Sequence, residues 1–136
     1  YEGDTGKIIS ELTREFAKGI VKKLDPSNVV TLVHIITSLV SIRNLSSVVS
    51  EETSKKLLYY GWQAAAGLYS ISGEVKQDRE FDSITSTLSE KQIIEKAVNS
   101  NEVHAIKFTE ACVRENQLMP NKVYEIVAER AVDLLV

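Results

Sequence analysis

The chain has one cysteine, Cys112, and two histidines, His34 and His104, among its 136 residues. A lone cysteine cannot form an internal disulfide, and the two histidines are too far apart in sequence for metal-ligand spacing. We therefore predict no metal site and a reducing, cytoplasmic location. No signal-peptide pattern opens the sequence. The first residue is Tyr1 rather than methionine, so a fragment of a longer protein is one expectation.

An excess of positive charge is also missing. Lysine and arginine number 16 against 19 acidic residues, which gives a net charge of −3, and the two signs alternate along the chain. Nucleic-acid binding depends on clustered basic residues, so we predict no nucleic-acid partner.

Glycine-rich phosphate-binding loops, the Gly-x-Ser-x-Gly motif and alternating strand patterns of useful length do not occur. Apolar residues instead recur at helical spacing. The sequence thus predicts an all-α fold, a single-domain bundle of five to six helices. We predict helices from residue 5 or 6 to 24 and over residues 26–44, 50–72, 89–98 and 102–118, with a last one from Pro120. Residues 74–88 are predicted to form a flexible surface loop, with one helical turn near its end.

The predicted second helix has no charged residue between Pro26 and Ile42. Several hydroxyl side chains make it too polar for a bilayer, so we predict no membrane span and a central helix packed on most sides. Its polar side chains, His34, Thr37, Ser38 and Ser41, fall within about a third of the helix circumference. The predicted helix over residues 102–118 carries His104 and Lys107 among apolar residues.

Two readings of these polar residues remain open. Two imidazoles facing one cavity can bind a ligand or transfer a proton, and a lysine among apolar side chains can bind an anion. Alternatively, both histidines are buried and satisfied by neighbouring groups, and Lys107 extends its ammonium into water. The shared-site hypothesis fails if the histidines lie more than about 10 Å apart with no cavity between them.

The predicted third helix offers a second candidate surface. Trp62, Gln63 and Tyr69 combine aromatic faces with hydrogen-bonding groups that suit a flat ring, although aromatic residues at this spacing also form cores. Small residues on the same helix, including Gly61 and Gly67, predict close approach of a neighbouring helix.

Three stretches together resemble the C-terminal part of questin oxidase-like proteins. They are L-V-H-I-I-T at residues 32–37, Y-G-W-Q-A-A-A-G-L-Y at residues 60–69 and N-E-V-H-A-I-K-F-T-E-A-C at residues 101–112. The resemblance covers about residues 28–135. It implies a helical oxidoreductase that acts on an aromatic or polyketide-type small molecule, as in ring-opening oxygenation of an anthraquinone, with NADPH as the reductant.

The resemblance also implies site residues. His34 and Thr37 match a His-x-x-Thr motif, Trp62 and Gln63 match a Trp-Gln element, and His104 with Lys107 matches a His-x-x-Lys motif. We infer that His34 and His104 transfer protons or orient the substrate, that Lys107 binds an anion, and that Trp62 is a stacking wall. Thr37, Gln63 and Tyr69 are the further substrate-binding candidates.

Members of this family are longer than this chain, and we expect a homo-oligomer to cover the apolar surface that their additional helices would cover. Two rival functions remain. One is a non-catalytic interaction or oligomerisation module with the small-residue helix as its seam, and the other is a domain that binds a small molecule without turnover.

Overall fold

A computed structural model describes residues 2–76 and 84–136. Within these residues the chain forms six α-helices and no strand. The helices are α1 (Glu2–Lys23), α2 (Val29–Ser46), α3 (Glu51–Ile71), α4 (Glu90–Ser100), α5 (Val103–Leu118) and α6 (Val123–Leu135). They pack compactly, which confirms the predicted all-α bundle.

The core lies where α2 meets its neighbours. This helix packs against α1, α3, α5 and α6, and its buried residues are Val29, Leu32, Val33, Ile35, Ile36, Leu39, Val40 and Ile42. Phe108 of α5 and Tyr124 of α6 are the largest fully buried side chains that face this cluster from elsewhere in the core. Burial of these apolar side chains is the main source of stability for a bundle of this kind.

The polar stripe of α2 does not face the core. His34, Ser38 and Ser41 are exposed, and Thr37 is half-buried. The prediction that α2 is a central helix packed on most sides agrees with its contacts to four other helices, and the polar stripe is the side that no helix covers among the described residues. By length and composition alone α2 is apolar enough to cross a membrane. Core helices meet the same criterion, so this observation alone does not indicate a membrane span.

The connection between α1 and α2 differs from the prediction. Helix α2 begins at Val29 rather than at Pro26. Asp25 instead forms a turn, in which its Oδ1 accepts hydrogen bonds from the N–H groups of Ser27 and Asn28 at 2.8 and 3.2 Å. The Asn28 amide then donates to the carbonyls of Lys23 and Ser72, which ties the ends of α1 and α3 to this turn.

The predicted ends of α3 and the predicted cap of α4 are confirmed. Ser50 caps α3 by accepting from the Thr53 N–H, and Gly73, with a φ of 91°, follows its end as predicted. Ser89 and Gln92 form the predicted capping box of α4. The prediction that Pro120 begins the last helix is wrong, because α6 begins at Val123.

The two glycines of α3 have different surroundings. A Cβ at Gly61 would lie 2.1 Å from Ile42 Cδ1, so this glycine permits the close approach of α2 and α3 that the sequence predicts. A Cβ at Gly67 would meet nothing within 4 Å. The same prediction is therefore wrong for Gly67 within this chain.

Part of the predicted flexible loop is anchored. The prediction over residues 77–83 lies outside the described residues. Ile84 is buried, and the Glu129 carboxylate of α6 accepts hydrogen bonds from the Thr87 N–H at 2.7 Å and from the Thr87 hydroxyl. Residues 84–88 contain no helical turn and are held on the bundle surface by Glu129.

Candidate functional site

An open cleft of about 460 Å³ lies between α2 and α5. Its lining residues are Val33, His34, Thr37, Ser38, Ser41, Ile42, His104 and Lys107. The volume is within the range of small-molecule sites. The cleft therefore combines the polar stripe of α2 with both polar residues that the sequence singles out on α5.

The two histidines meet across this cleft. Their ring centroids are 5.5 Å apart, and the ring planes are inclined by 61°. This separation is within the 10 Å limit set above, so the condition on which the shared-site hypothesis depended is met. A single ligand group or water molecule can reach both rings at this distance.

The backbone of α2 orients the His34 ring. Its Nδ1 atom contacts the carbonyl oxygen of Val30, one turn earlier in the helix. A carbonyl only accepts hydrogen bonds, so Nδ1 must carry the proton that it donates. In the neutral ring, Nε2 then carries the lone pair and can accept a proton or a hydrogen bond.

Glu102 orients the His104 ring in the same sense. One carboxylate oxygen accepts from His104 Nδ1 at 2.9 Å, and the other accepts from the Ala105 N–H at 2.7 Å, which makes Glu102 the N-cap of α5. Burial alone would raise the pKa of Glu102, but the hydrogen bonds from His104 and Ala105 outweigh it, and the pKa is lowered. The ionised carboxylate leaves His104 with a protonated Nδ1 and a free Nε2 lone pair.

The N-cap of α5 is Glu102 rather than one of the asparagines that precede it. Asn101 adopts a left-handed conformation, with a φ of 57°, and ends α4 instead. Glu102 is therefore a site residue that sequence reasoning missed. Its position two residues before His104 was the available signal.

Two of the α2 hydroxyls that line the cleft are already engaged as donors. Thr37 donates to the Val33 carbonyl at 3.1 Å, and Ser41 donates to the Thr37 carbonyl at 2.8 Å. Their oxygen lone pairs remain as acceptors for a ligand hydroxyl or N–H. Lys107 is exposed at the cleft edge, as expected for a lysine that extends its ammonium into water.

The other three predicted site residues lie elsewhere. Tyr69 packs against α1, with its ring 3.8 Å below Lys23 Nζ and 6.0 Å from the Phe16 ring, and burial raises its pKa. Trp62 precedes Tyr69 by about two helical turns on the same side of α3 and is 46% exposed. Gln63 is exposed on the outside of α3. None of the three lines the cleft, so Trp62 is not a wall of this site.

A buried ion pair joins α2 to α5 on the far side of the same seam. Arg43 donates to both oxygens of Glu115, at 2.9 and 3.0 Å, and also to the Gly6 carbonyl and the Ser10 hydroxyl of α1. Glu115 is fully buried. This pair fixes the positions of α2 and α5 relative to each other, and sequence reasoning missed it because the partners lie 72 residues apart.

The described residues contain no group of three or more His, Cys, Asp or Glu side chains placed to hold a metal ion. Nor does the cleft suit NADPH, whose phosphates require several cations or an open helix N-terminus. Among residues 2–76 and 84–136, Lys107 is the one lysine or arginine that lines it, and the Glu102 carboxylate occupies the nearby N-terminus of α5.

Comparison with protein-family models, with curated proteins and with solved structures finds no match. The likeness to questin oxidase-like proteins therefore depends on the three sequence stretches alone and stays a prediction.

Proposed function

We propose that this chain binds an aromatic or polyketide-type small molecule with an acidic hydroxyl group in the cleft between α2 and α5. His104 accepts the proton of that hydroxyl, and His34 accepts a hydrogen bond from a second hydroxyl of the same ligand. In this proposal the protein supplies binding and proton transfer for an oxidation of the kind that the resemblance implies. The observation that carries the proposal is the pair of imidazole rings, 5.5 Å apart at one cleft.

The two histidines have different roles in the proposal. A proton taken up at His104 Nε2 creates an imidazolium whose Nδ1–H faces the Glu102 carboxylate at 2.9 Å. This ion pair stabilises the charged ring, as a carboxylate does for a general-base histidine in many enzymes. The His34 Nδ1 faces only the neutral carbonyl of Val30. We therefore assign proton uptake to His104, and orientation of the ligand through its second hydroxyl to His34.

The remainder of the cleft suits an aromatic anion. Val33 and Ile42 supply apolar surface, while Thr37 and Ser41 offer acceptor oxygens to further hydroxyls of the ligand. Lys107 at the edge pairs with the oxyanion that remains after proton transfer. This combination of apolar surface and a few polar groups is typical of small-molecule sites.

A binding experiment with a hydroxylated anthraquinone tests the proposal. Calorimetric titration of the wild-type chain is compared with His34→Gln, His104→Gln and Lys107→Met. We expect each histidine variant to weaken binding about 10-fold, because each removes one hydrogen bond to the ligand. Lys91→Met on α4, which replaces a lysine that is 86% exposed and remote from the cleft, is the matched control. Equal affinity for all variants would contradict the proposal.

Turnover is measured separately, with the anthraquinone, oxygen and added NADPH, by following oxidised product. If the cleft is catalytic, His104→Gln lowers the rate at saturating substrate by more than it lowers affinity, because it removes the proton acceptor. If binding occurs without conversion in the wild-type chain, the domain is a binding module. Loss of folding in both histidine variants would favour the interaction-module alternative, in which the histidines have only a structural role.

A further inference from the structure

A second open cleft, of about 490 Å³, lies between α2 and α5 toward the C-terminal ends of both helices. Its polar lining includes Asn44 of α2 and Glu110, Arg114 and Gln117 of α5. Several polar side chains around an open volume of this size are typical of a small-molecule site. The function proposed above places no part of the ligand in this second cleft.

The second cleft continues the first along the same seam. The histidine contact and the hydrogen bond from Arg114 to Asn44 occur in the same order along both helices, so α2 and α5 run in the same direction. On α2, Asn44 follows Ser41 of the first cleft by three residues, which is about 5 Å. On α5, Glu110 follows Lys107 of the first cleft by the same distance. One elongated ligand can therefore occupy both clefts.

The arginines of the second cleft are already neutralised by carboxylates. Arg114 donates from Nε to Glu110 Oε1 at 2.9 Å, and its Nη2 contacts the same oxygen. Arg43, which also lines the cleft, is paired with Glu115. An anionic ligand group beside Arg114 would also lie beside the Glu110 carboxylate, and the two negative charges would repel each other. The cleft is therefore better suited to a neutral group than to a carboxylate or a phosphate.

The second cleft retains unused donors and acceptors. A guanidinium has five N–H groups. Arg114 uses two of them on Glu110 and a third on the Asn44 side-chain oxygen at 3.2 Å, which leaves two. Among the described residues, neither the Asn44 NH₂ group nor the Gln117 amide has a hydrogen-bond partner. Donors and acceptors thus occur side by side, and they match ligand hydroxyls, which both donate and accept.

Apolar surface completes the second cleft. Val113 and Leu118 both line it, and Leu118 is 57% exposed. A sugar ring has the matching surfaces, because its edge carries hydroxyls and its C–H face is apolar. We propose that the second cleft binds the sugar of a glycosylated ligand whose hydroxylated aromatic part lies in the first cleft. This inference rests on the proposed function for the position of the aromatic part, and it adds a neutral hexose as the substituent.

Calorimetric titration with a trihydroxyanthraquinone and with its mono-O-glucoside, which keeps two free hydroxyls, tests the sugar site. We expect the glucoside to bind the wild-type chain about 10-fold more tightly, through its additional hydrogen bonds. Asn44→Ala and Gln117→Ala should each reduce this gain to about 3-fold and leave the affinity for the trihydroxyanthraquinone unchanged. Asn99→Ala and Gln63→Ala, at exposed positions on α4 and α3, are the matched controls and should keep the full gain. A glucoside that binds no more tightly than the trihydroxyanthraquinone, or a gain that both cleft variants keep, would overturn the proposal.

NMR signals of the side-chain amides separate this inference from the proposed function. The NH₂ signals of Asn44 and Gln117 should shift with the glucoside and stay in place with the trihydroxyanthraquinone. His104→Gln should weaken the binding of both compounds equally, because it acts in the first cleft. If the trihydroxyanthraquinone does not bind, the proposed function fails, and methyl glucoside alone should still shift the two amide signals. Amide signals that move with neither glucoside would overturn the sugar site.

Discussion

Helices α2 and α5 meet at two polar contacts of opposite character. At one, the half-buried Arg43 donates hydrogen bonds to the fully buried Glu115 and to α1. At the other, His34 and His104 face an open cleft, and each ring is oriented by a group on or next to its own helix. The first contact holds the helices together. The second holds two side chains in position while leaving one nitrogen of each ring for a ligand.

This difference matters for function because removing a partner costs different amounts of folding stability at the two contacts. A buried charge that loses its partner is strongly destabilising, whereas a polar group at an open cleft can exchange its partner for water at little cost. The ion pair therefore allows the cleft to remain open, because the register of α2 and α5 does not depend on the contact between the two histidine rings. Substitutions at the two contacts should have very different effects on folding.

The largest expected effect is at the ion pair. Glu115→Ala should lower the free energy of unfolding by about 3–5 kcal/mol, because it leaves the Arg43 guanidinium partly buried without its carboxylate. Urea denaturation measures this loss. The exposed pair Lys56–Glu52 provides the control, and Glu52→Ala should cost less than about 1 kcal/mol. Equal losses at the two sites would mean that the buried pair does not hold the seam.

The next effect tests the wall of the cleft. Gly61→Ala should cost up to about 1 kcal/mol, because its methyl group displaces the Cδ1 atom of Ile42, which lines the cleft, and this cancels the stability that alanine normally adds to a helix. Gly67→Ala should instead stabilise the folded chain by about 0.5–1 kcal/mol, because the added methyl group meets no atom within 4 Å. Urea denaturation of both variants gives the comparison. Equal changes at the two glycines would contradict the close contact between α2 and α3.

A smaller effect is expected at the N-cap beside His104. Glu102→Ala should cost about 1 kcal/mol at neutral pH, through loss of the cap to the Ala105 N–H. The pKa of Glu102 is lowered in the folded chain, so its ionised form adds stability above about pH 4.5, the ordinary pKa, and this contribution is lost as the pH falls through the folded value. The difference in thermal midpoint between wild type and Glu102→Gln should shrink from pH 7 to pH 3. A constant difference would exclude the charge of Glu102 as its cause.

The smallest effect is expected at the histidines. His34→Gln and His104→Gln should each change the free energy of unfolding by less than about 1 kcal/mol, because neither ring is buried and neither makes a core contact. Urea denaturation measures this change in the free energy of unfolding. We choose pH 8, where an unperturbed imidazole is mostly neutral. A loss comparable to that of Glu115→Ala would make the histidines structural residues and remove the energetic contrast between the two contacts.

What could be read from the sequence depended on distance along the chain. Caps at Ser50 and Ser89 and the stop at Gly73 involve neighbours within a few residues, so their chemistry is visible in the sequence. The partnership of Arg43 with Glu115 is not, because helical periodicity shows which face is apolar but not which helix covers it. The same limit explains why Trp62 and Tyr69 were expected at the cleft and instead lie on the side of α3 toward α1.

The contact between His34 and His104 could be predicted only in part from the sequence. Periodicity placed each of them on a polar stripe of its helix, and only the packing of α2 on α5 shows that the stripes face the same cleft. Glu102 was missed because asparagine is the more usual N-cap, although glutamate at this position both caps α5 and orients His104.

Nitrogen-detected NMR of the histidine rings tests the central claim most directly, since it reports the protonated nitrogen of each ring and its response to ligand. In the free chain at pH 8, both rings should carry their proton on Nδ1, and their ring protons should show a mutual Overhauser effect. On addition of a hydroxylated anthraquinone, the Nε2 signals of His34 and His104 should shift together with one saturation curve. Binding that moves neither Nε2 signal, or only one of them, would contradict a shared site at the α2–α5 cleft.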